Sequence, residues 1–170
     1  MGHPEQQQQQ QQQHWLFHSE LDLINEIHPN LAGTGKSVDI NDPILPNSMP
    51  RDYGGVAILW KKSIDQYIRP TSDGSERIQC IEINTETPHL IINVYLPTKS
   101  NNDQFDTYSD CFDKLYEIVQ KNSITHEIII AGDFNENIST RINNSRRAVK
   151  LRTFMEECNL ATNTNFCQRK

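Results

Sequence analysis

The sequence predicts a layered α/β domain, and three consecutive segments predict it. His89 to Tyr95 is a nearly continuous aliphatic run, which suits a strand covered on both faces. Phe105, Tyr108, Phe112, Leu115 and Val119 recur at alternating spacings of three and four, the stripe of a helix packed on a sheet. Glu127-Ile128-Ile129-Ile130-Ala131 is the next strand. Strand, helix, strand is the repeating unit of layered α/β sheets.

The other elements follow along the chain. Gln6 to Gln13 is a single-residue tract that cannot bury apolar surface, so residues 1–13 read as a disordered tail and 14–170 as one domain. Ser19 followed by Asp22 resembles a helix start, and Leu21, Leu23, Ile24, Ile27 and His28 make a short amphipathic helix stopped at Pro29. Asn30 to Asp52 is rich in Gly, Pro, Asn and Asp and reads as a loop. Gly54 to Trp60 is an apolar strand opened by a glycine pair, and Arg77 to Ile83 alternates as a pleat does. Ala148, Leu151, Met155 and Cys158 mark a second helix, with Arg146, Arg147, Lys150 and Arg152 assigned to its solvent face. A short strand-like piece precedes Lys170.

Composition narrows the function classes. The 170 residues suffice for one domain with a sizeable core. A formal net charge of −6 does not advertise a basic nucleic-acid face, although a metal site made of carboxylates is itself acidic. The four cysteines, at 80, 111, 158 and 167, form no C-x-x-C pair and read as thiols of a reducing compartment. The polar start Met1-Gly2-His3-Pro4-Glu5 is unlike a signal peptide, and no apolar run is long enough to span a bilayer. The expectation is an intracellular protein, nuclear or cytoplasmic, with no membrane partner. The sequons at Asn137 and Asn143 then read as chance matches. Gly33-Thr34-Gly35-Lys36-Ser37 evokes a phosphate-binding loop, but the spacing demands glycine where Asn30 stands.

Two strand ends carry the residues suited to chemistry. Ile130-Ala131-Gly132-Asp133-Phe134-Asn135 feeds an aliphatic strand into Asp133 and Asn135 at its carboxyl end, where α/β sheets collect ligands. A carboxylate can hold a water or a hard cation, and an amide can donate to a phosphate oxygen. A plain turn is the alternative, since Gly, Asp and Asn are ordinary turn formers. Asn93 and Tyr95 share a face at the end of the preceding strand, and a buried apolar strand rarely spends a position on Asn without a partner for it.

Asp-Tyr-Gly-Gly-Val-Ala-Ile-Leu-Trp at 52–60, Ile-Asn-Val-Tyr-Leu-Pro at 92–97 and Ile-Ala-Gly-Asp-Phe-Asn at 130–135 stand in a telling order. Together they resemble the endonuclease/exonuclease/phosphatase superfamily, most of all the endonuclease domains that open LINE-type retrotransposon polyproteins. Gln-Gln-His-Trp-Leu at 12–16 resembles that family's Gln-Glu-His-Trp-Leu. The resemblance implies two mixed β-sheets packed face to face, with helices on the outer faces. It implies hydrolysis of phosphodiester or phosphomonoester bonds by an activated water with Mg2+, or Mn2+ in its place. Carried over, Asp133 orients the water and touches the metal, and Asn135 holds the scissile phosphate and that same Asp. Tyr95 contacts the phosphate and Asn93 supports the site. DNA is the implied substrate, and a reverse-transcriptase domain in the same polyprotein the implied neighbour.

Three departures qualify that expectation. Gln13 stands where the family has its metal-binding Glu, so it brings an amide oxygen and no charge. Glutamines replace the strand that should come before it, and the family's Ser-Asp-His segment is not reached by Lys170. The sequence therefore reads as a domain incomplete at both ends, with DNA nicking as its ancestral reaction and activity impaired or lost. A non-catalytic fold remnant or binding module is the competing reading, and a phosphatase of the same superfamily a third.

Overall fold

A computed structural model describes residues 13–14, 16–39, 55–99, 105–136 and 144–162 of this chain. The aliphatic runs form the larger of two sheets: β4 (Ile68–Ser75), β5 (Ile78–Ile83), β6 (His89–Tyr95) and β7 (Glu127–Asp133), side by side in that order. β4, β5 and β6 are mutually antiparallel, and β7 joins β6 in parallel. Parallel neighbours need a crossover, which helix α1 (Phe105–Asn122) supplies. Its stripe of Tyr108, Phe112, Leu115 and Val119 is buried against Ile78, Cys80, Leu90, Ile92 and Val94. Helix α2 (Arg146–Glu157) adds Leu151 and Phe154 to that core, with the Phe154 ring edge-on to Phe112 at 5.2 Å.

The smaller sheet holds β1 (Gln13–His14), β2 (Leu31–Lys36) and β3 (Gly55–Lys61), with β3 central and both pairings antiparallel. β3 packs against β5 and β6 of the other sheet. This is the two-sheet sandwich that the sequence predicts, with α1 and α2 outside the larger sheet.

Several elements differ from their sequence reading. The first helix is a 3-10 helix over His18–Glu26, and Ser19 and Asp22 do not cap it. Its entry is held by Glu20, which accepts the Phe17 N–H at 3.1 Å, and by Asp39, which accepts the His18 N–H at 2.9 Å. β2 lies within the stretch read as a loop. Its glycines serve close approach, not turning: a Cβ on Gly33 would stand 2.5 Å from Ile24 Cγ2 of the 3-10 helix. That extended backbone also removes any phosphate-binding loop at 33–37. β4 contains Pro70, Asp73 and Gly74 and carries no strand signal, yet it forms at the sheet edge, where proline costs no ladder bond. A break in its register between Pro70 and Gly74 absorbs the misfit. The glutamine tract before Gln13, the sequon asparagines at 137 and 143, Cys167, residues 52–54 of the first motif and the strand-like piece after 162 lie outside the described residues.

Two glycines yield testable predictions. Gly33→Ala forces the 3-10 helix off β2 and should lower unfolding free energy by about 1–3 kcal/mol. Chemical denaturation checks this, and Ile24→Leu, which removes the Cγ2 branch, should recover part of the loss. Gly132 has φ of 133°, and a Cβ there would lie 2.0 Å from the Val94 carbonyl oxygen. Gly132→Ala therefore carries strain and a clash together, and about 3 kcal/mol of destabilisation is expected in the same measurement.

Candidate active site at two parallel strand tips

Alternation along β6 sends Leu90, Ile92 and Val94 into the core with α1 and turns Ile91, Asn93 and Tyr95 to the opposite face. In the parallel ladder Asn93 stands level with Ala131 and Tyr95 with Asp133. Residues level with one another in a sheet project to the same side, so Asn93, Tyr95 and Asp133 share the face turned away from α1. The Asn93 amide donates to the Ala57 carbonyl of β3 at 2.9 Å, so this face looks toward the smaller sheet. Asn93 and Tyr95 are half-buried and Asp133 is exposed.

The chain leaving β7 is ordered by its own side chains. Asp133 Oδ1 accepts the Asn135 backbone N–H at 2.8 Å, which closes a local turn around Phe134. Asn135 sits at φ of 49°, a left-handed conformation that Asn tolerates better than most residues. From there its Nδ2 donates to the Leu96 carbonyl at 2.6 Å, while the Leu96 N–H donates to the Asp133 carbonyl at 2.9 Å. The turn that the sequence offers as the alternative reading forms here, and it sets the Asn135 amide against the chain leaving β6. An amide nitrogen has two hydrogens, so the bond to Leu96 leaves Asn135 a second donor.

Gln13 comes near through topology. It pairs with Val56, next to the Ala57 whose carbonyl Asn93 holds; the Gln13 side chain itself lies outside the described residues. Among the described residues, no three His, Cys, Asp or Glu side chains gather as a metal cage. A cation at this face would rest on Asp133, on waters and on the substrate's own oxygens. That sparse donor set fits Mg2+, which keeps several waters and takes one or two carboxylates.

One group of residues at the tips escapes the sequence reading. Arg147, assigned above to the solvent face, is only 2% exposed. It donates through Nη1 to the Pro97 carbonyl and through Nη2 to the Thr98 carbonyl at 3.2 Å, and its guanidinium lies 4.6 Å from the Tyr108 ring centroid. The signal was present: Arg147, Leu151 and Phe154 lie on one helix face, all buried. Arg146 does face solvent and stacks on Phe105 at 4.1 Å. Burial pushes the Tyr108 phenol far above its ordinary range, and the charge of Glu136 adds to that, so it stays neutral. Burial likewise pushes Cys80 up to about 12 and Cys111 to about 11, which keeps both thiols unreactive. No helix among the described residues is long and apolar enough to cross a membrane.

Comparison with known proteins bears on the fold and the family. The human Nocturnin catalytic domain, solved with a bound sulfate anion, is similar with a TM-score of 0.54 at 13% identity, over 89% of this chain and 57% of that one. Sphingomyelinase C from Streptomyces griseocarneus has a TM-score of 0.49 at 12% identity, over 83% of this chain and 52% of that one. The chain thus spans somewhat more than half the length of either structure. No curated protein matches it. The sequence profile of the Endonuclease/Exonuclease/phosphatase family matches residues 4–166, and the chain belongs to that family of hydrolases.

Proposed function

We propose that this chain carries the phosphate-contacting part of a divalent-metal-dependent phosphodiesterase, a DNA-nicking site of the retroelement endonuclease type. The observation that supports it most is the level pairing of Tyr95 with Asp133 across two parallel strand tips, cross-linked by Asn135. The Tyr95 phenol and the Asp133 carboxylate stand on one face, and the Asn135 amide joins the two tips through the Leu96 carbonyl. In the proposed roles, the Asp133 carboxylate accepts a hydrogen bond from the attacking water and aims its lone pair in line with the scissile bond. Asn135 donates its second amide hydrogen to a phosphate oxygen, and the Tyr95 hydroxyl donates to another. Asn93 acts one step back, holding the spacing between the sheets. Asp133 would hold Mg2+, with Gln13 in the place of the family's Glu, and the ion would supply positive charge against the negative charge that develops on phosphorus-bound oxygens. Gln13 brings that cation a dipole and no charge, which weakens the site. This feature favours a second reading, a module that binds DNA phosphates without cleaving them.

The test is Mg2+ titration by calorimetry together with nicking of supercoiled plasmid DNA, on the native chain and on Gln13→Glu. Restoring the carboxylate should tighten Mg2+ binding about tenfold, about 1.4 kcal/mol, and quicken a slow native reaction. Asp133→Ala should abolish nicking in both backgrounds. Equal Mg2+ affinity in the two would remove Gln13 from the site, and nicking that survives Asp133→Ala would remove the hydrolase reading. DNA binding with no nicking in either would favour the binding module.

A further inference from the structure

The buried charges beneath the tips are costly. A guanidinium and a carboxylate taken out of water lose hydration that pairing restores only with good geometry, and apolar residues of similar volume would stabilise about as well. Arg147 is 2% exposed and the Glu136 side chain, one residue past Asn135, also 2%. Their contacts run in one direction. Arg147, in the first turn of α2, reaches the two consecutive carbonyls of Pro97 and Thr98, the chain leaving β6. Glu136, on the chain leaving β7, accepts from Ser145 Oγ at 2.8 Å, and Ser145 in turn caps α2 by accepting the Ala148 N–H at 3.1 Å. Lys99, two residues past Pro97, meets Glu136 at 2.9 Å. The contacts form a closed ring: α2 to the exit of β6, across to the exit of β7, and back to α2. A planar fork suits two adjacent carbonyls better than an ammonium does, and the Tyr108 ring 4.6 Å away offers it a face to lie on. A carboxylate beside a helix start is favoured by the helix dipole.

We propose that the start of α2 is the positioning device of the site: Arg147, with Ser145 and Glu136, sets the spacing of the two tips so that Tyr95, Asp133 and Asn135 meet one phosphate. This rests on the phosphodiesterase reading for what the tips do, but the clamp has a signature of its own. Arg147→Met keeps length and apolar bulk and removes every donor; Arg147→Lys restores charge and part of the donation.

The first readout needs neither metal nor substrate. In NMR spectra of the full chain, the Asn135 carboxamide signals should shift in Arg147→Met. The Leu96 amide, bonded to Asp133 across the tips, should exchange about tenfold faster, while α1 amides such as Leu115 keep their protection. The second readout is hydrolysis of bis(4-nitrophenyl) phosphate with Mg2+. There kcat should fall on the order of tenfold to a hundredfold with KM unchanged, and Arg147→Lys should lie between. Unchanged Asn135 signals and Leu96 exchange overturn the clamp. So does equal acceleration of Leu96 and the α1 amides, which is the mark of a merely structural arginine, and so does an unchanged kcat in a hydrolysing protein. Local loosening of the tips in a chain whose native form hydrolyses nothing keeps the clamp and sinks the hydrolase reading instead. Should Arg147→Met fail to fold, Glu136→Gln removes the charge at the other side of the ring and carries the same two readouts.

Discussion

The parallel pairing of β6 with β7 is the constraint on which the other parts depend. Two strands can run parallel only if the chain is carried back along the sheet, and α1 does that while closing the larger core. Because the two strands then end at the same edge, whatever follows each of them is delivered to one place. The ladder ends with Tyr95 level with Asp133, and the bonds of Leu96 to Asp133 and Asn135 continue it beyond the last regular pair. Gly132 permits this, since its backbone lies so close to Val94 that no side chain fits between them. A slip of one residue would turn Asp133 toward α1 and leave a carboxylate in an aliphatic core.

What the sequence reveals follows from which forces are local. β5, β6, α1 and β7 are legible because burial fills them with apolar residues, alternating along β6 and striped along α1, while in β5 the run from Ile78 to Ile81 is buried on both faces. β2 and β4 are not legible, because Gly33 serves the 3-10 helix packed on it and Pro70 is tolerated only at an edge where the register breaks beside it. Their extended form is a tertiary decision, taken by pairing with β3 and β5. The 3-10 helix shows the same divide at its start: Ser19 is the local cap candidate, but Asp39, 21 residues away from His18, accepts the His18 N–H.

The site divides likewise. Asp133, Asn135, Tyr95 and Asn93 can be picked out because polar side chains at the end of an aliphatic run break a pattern, and the structure places them at the same pair of tips. Arg147 breaks no visible pattern. Among four basic residues within seven positions it resembles a solvated face, and only its place on the stripe with Leu151 and Phe154 sets it apart. A charge is easily read as exposed, since burying one is costly; it can be seen as buried only with the Pro97 and Thr98 carbonyls in view, 50 and 49 residues back along the chain.

The vertical order of charge at the tips has a physical rationale. Asp133 is exposed and Tyr95 and Asn135 half-exposed, while Arg147 and Glu136 lie beneath them out of water. In the proposed roles these exposed groups meet a solvated phosphate, which needs access, and access leaves a side chain free to wander among rotamers. Groups that only hold backbone have no such need, and in a drier setting their hydrogen bonds are stronger and slower to break. An exposed layer that can exchange water for substrate over a buried layer that cannot move is a division that lets a loop segment keep strand-like order. The carbonyls of Pro97 and Thr98, past the end of β6, accept from the same arginine that steadies the tip.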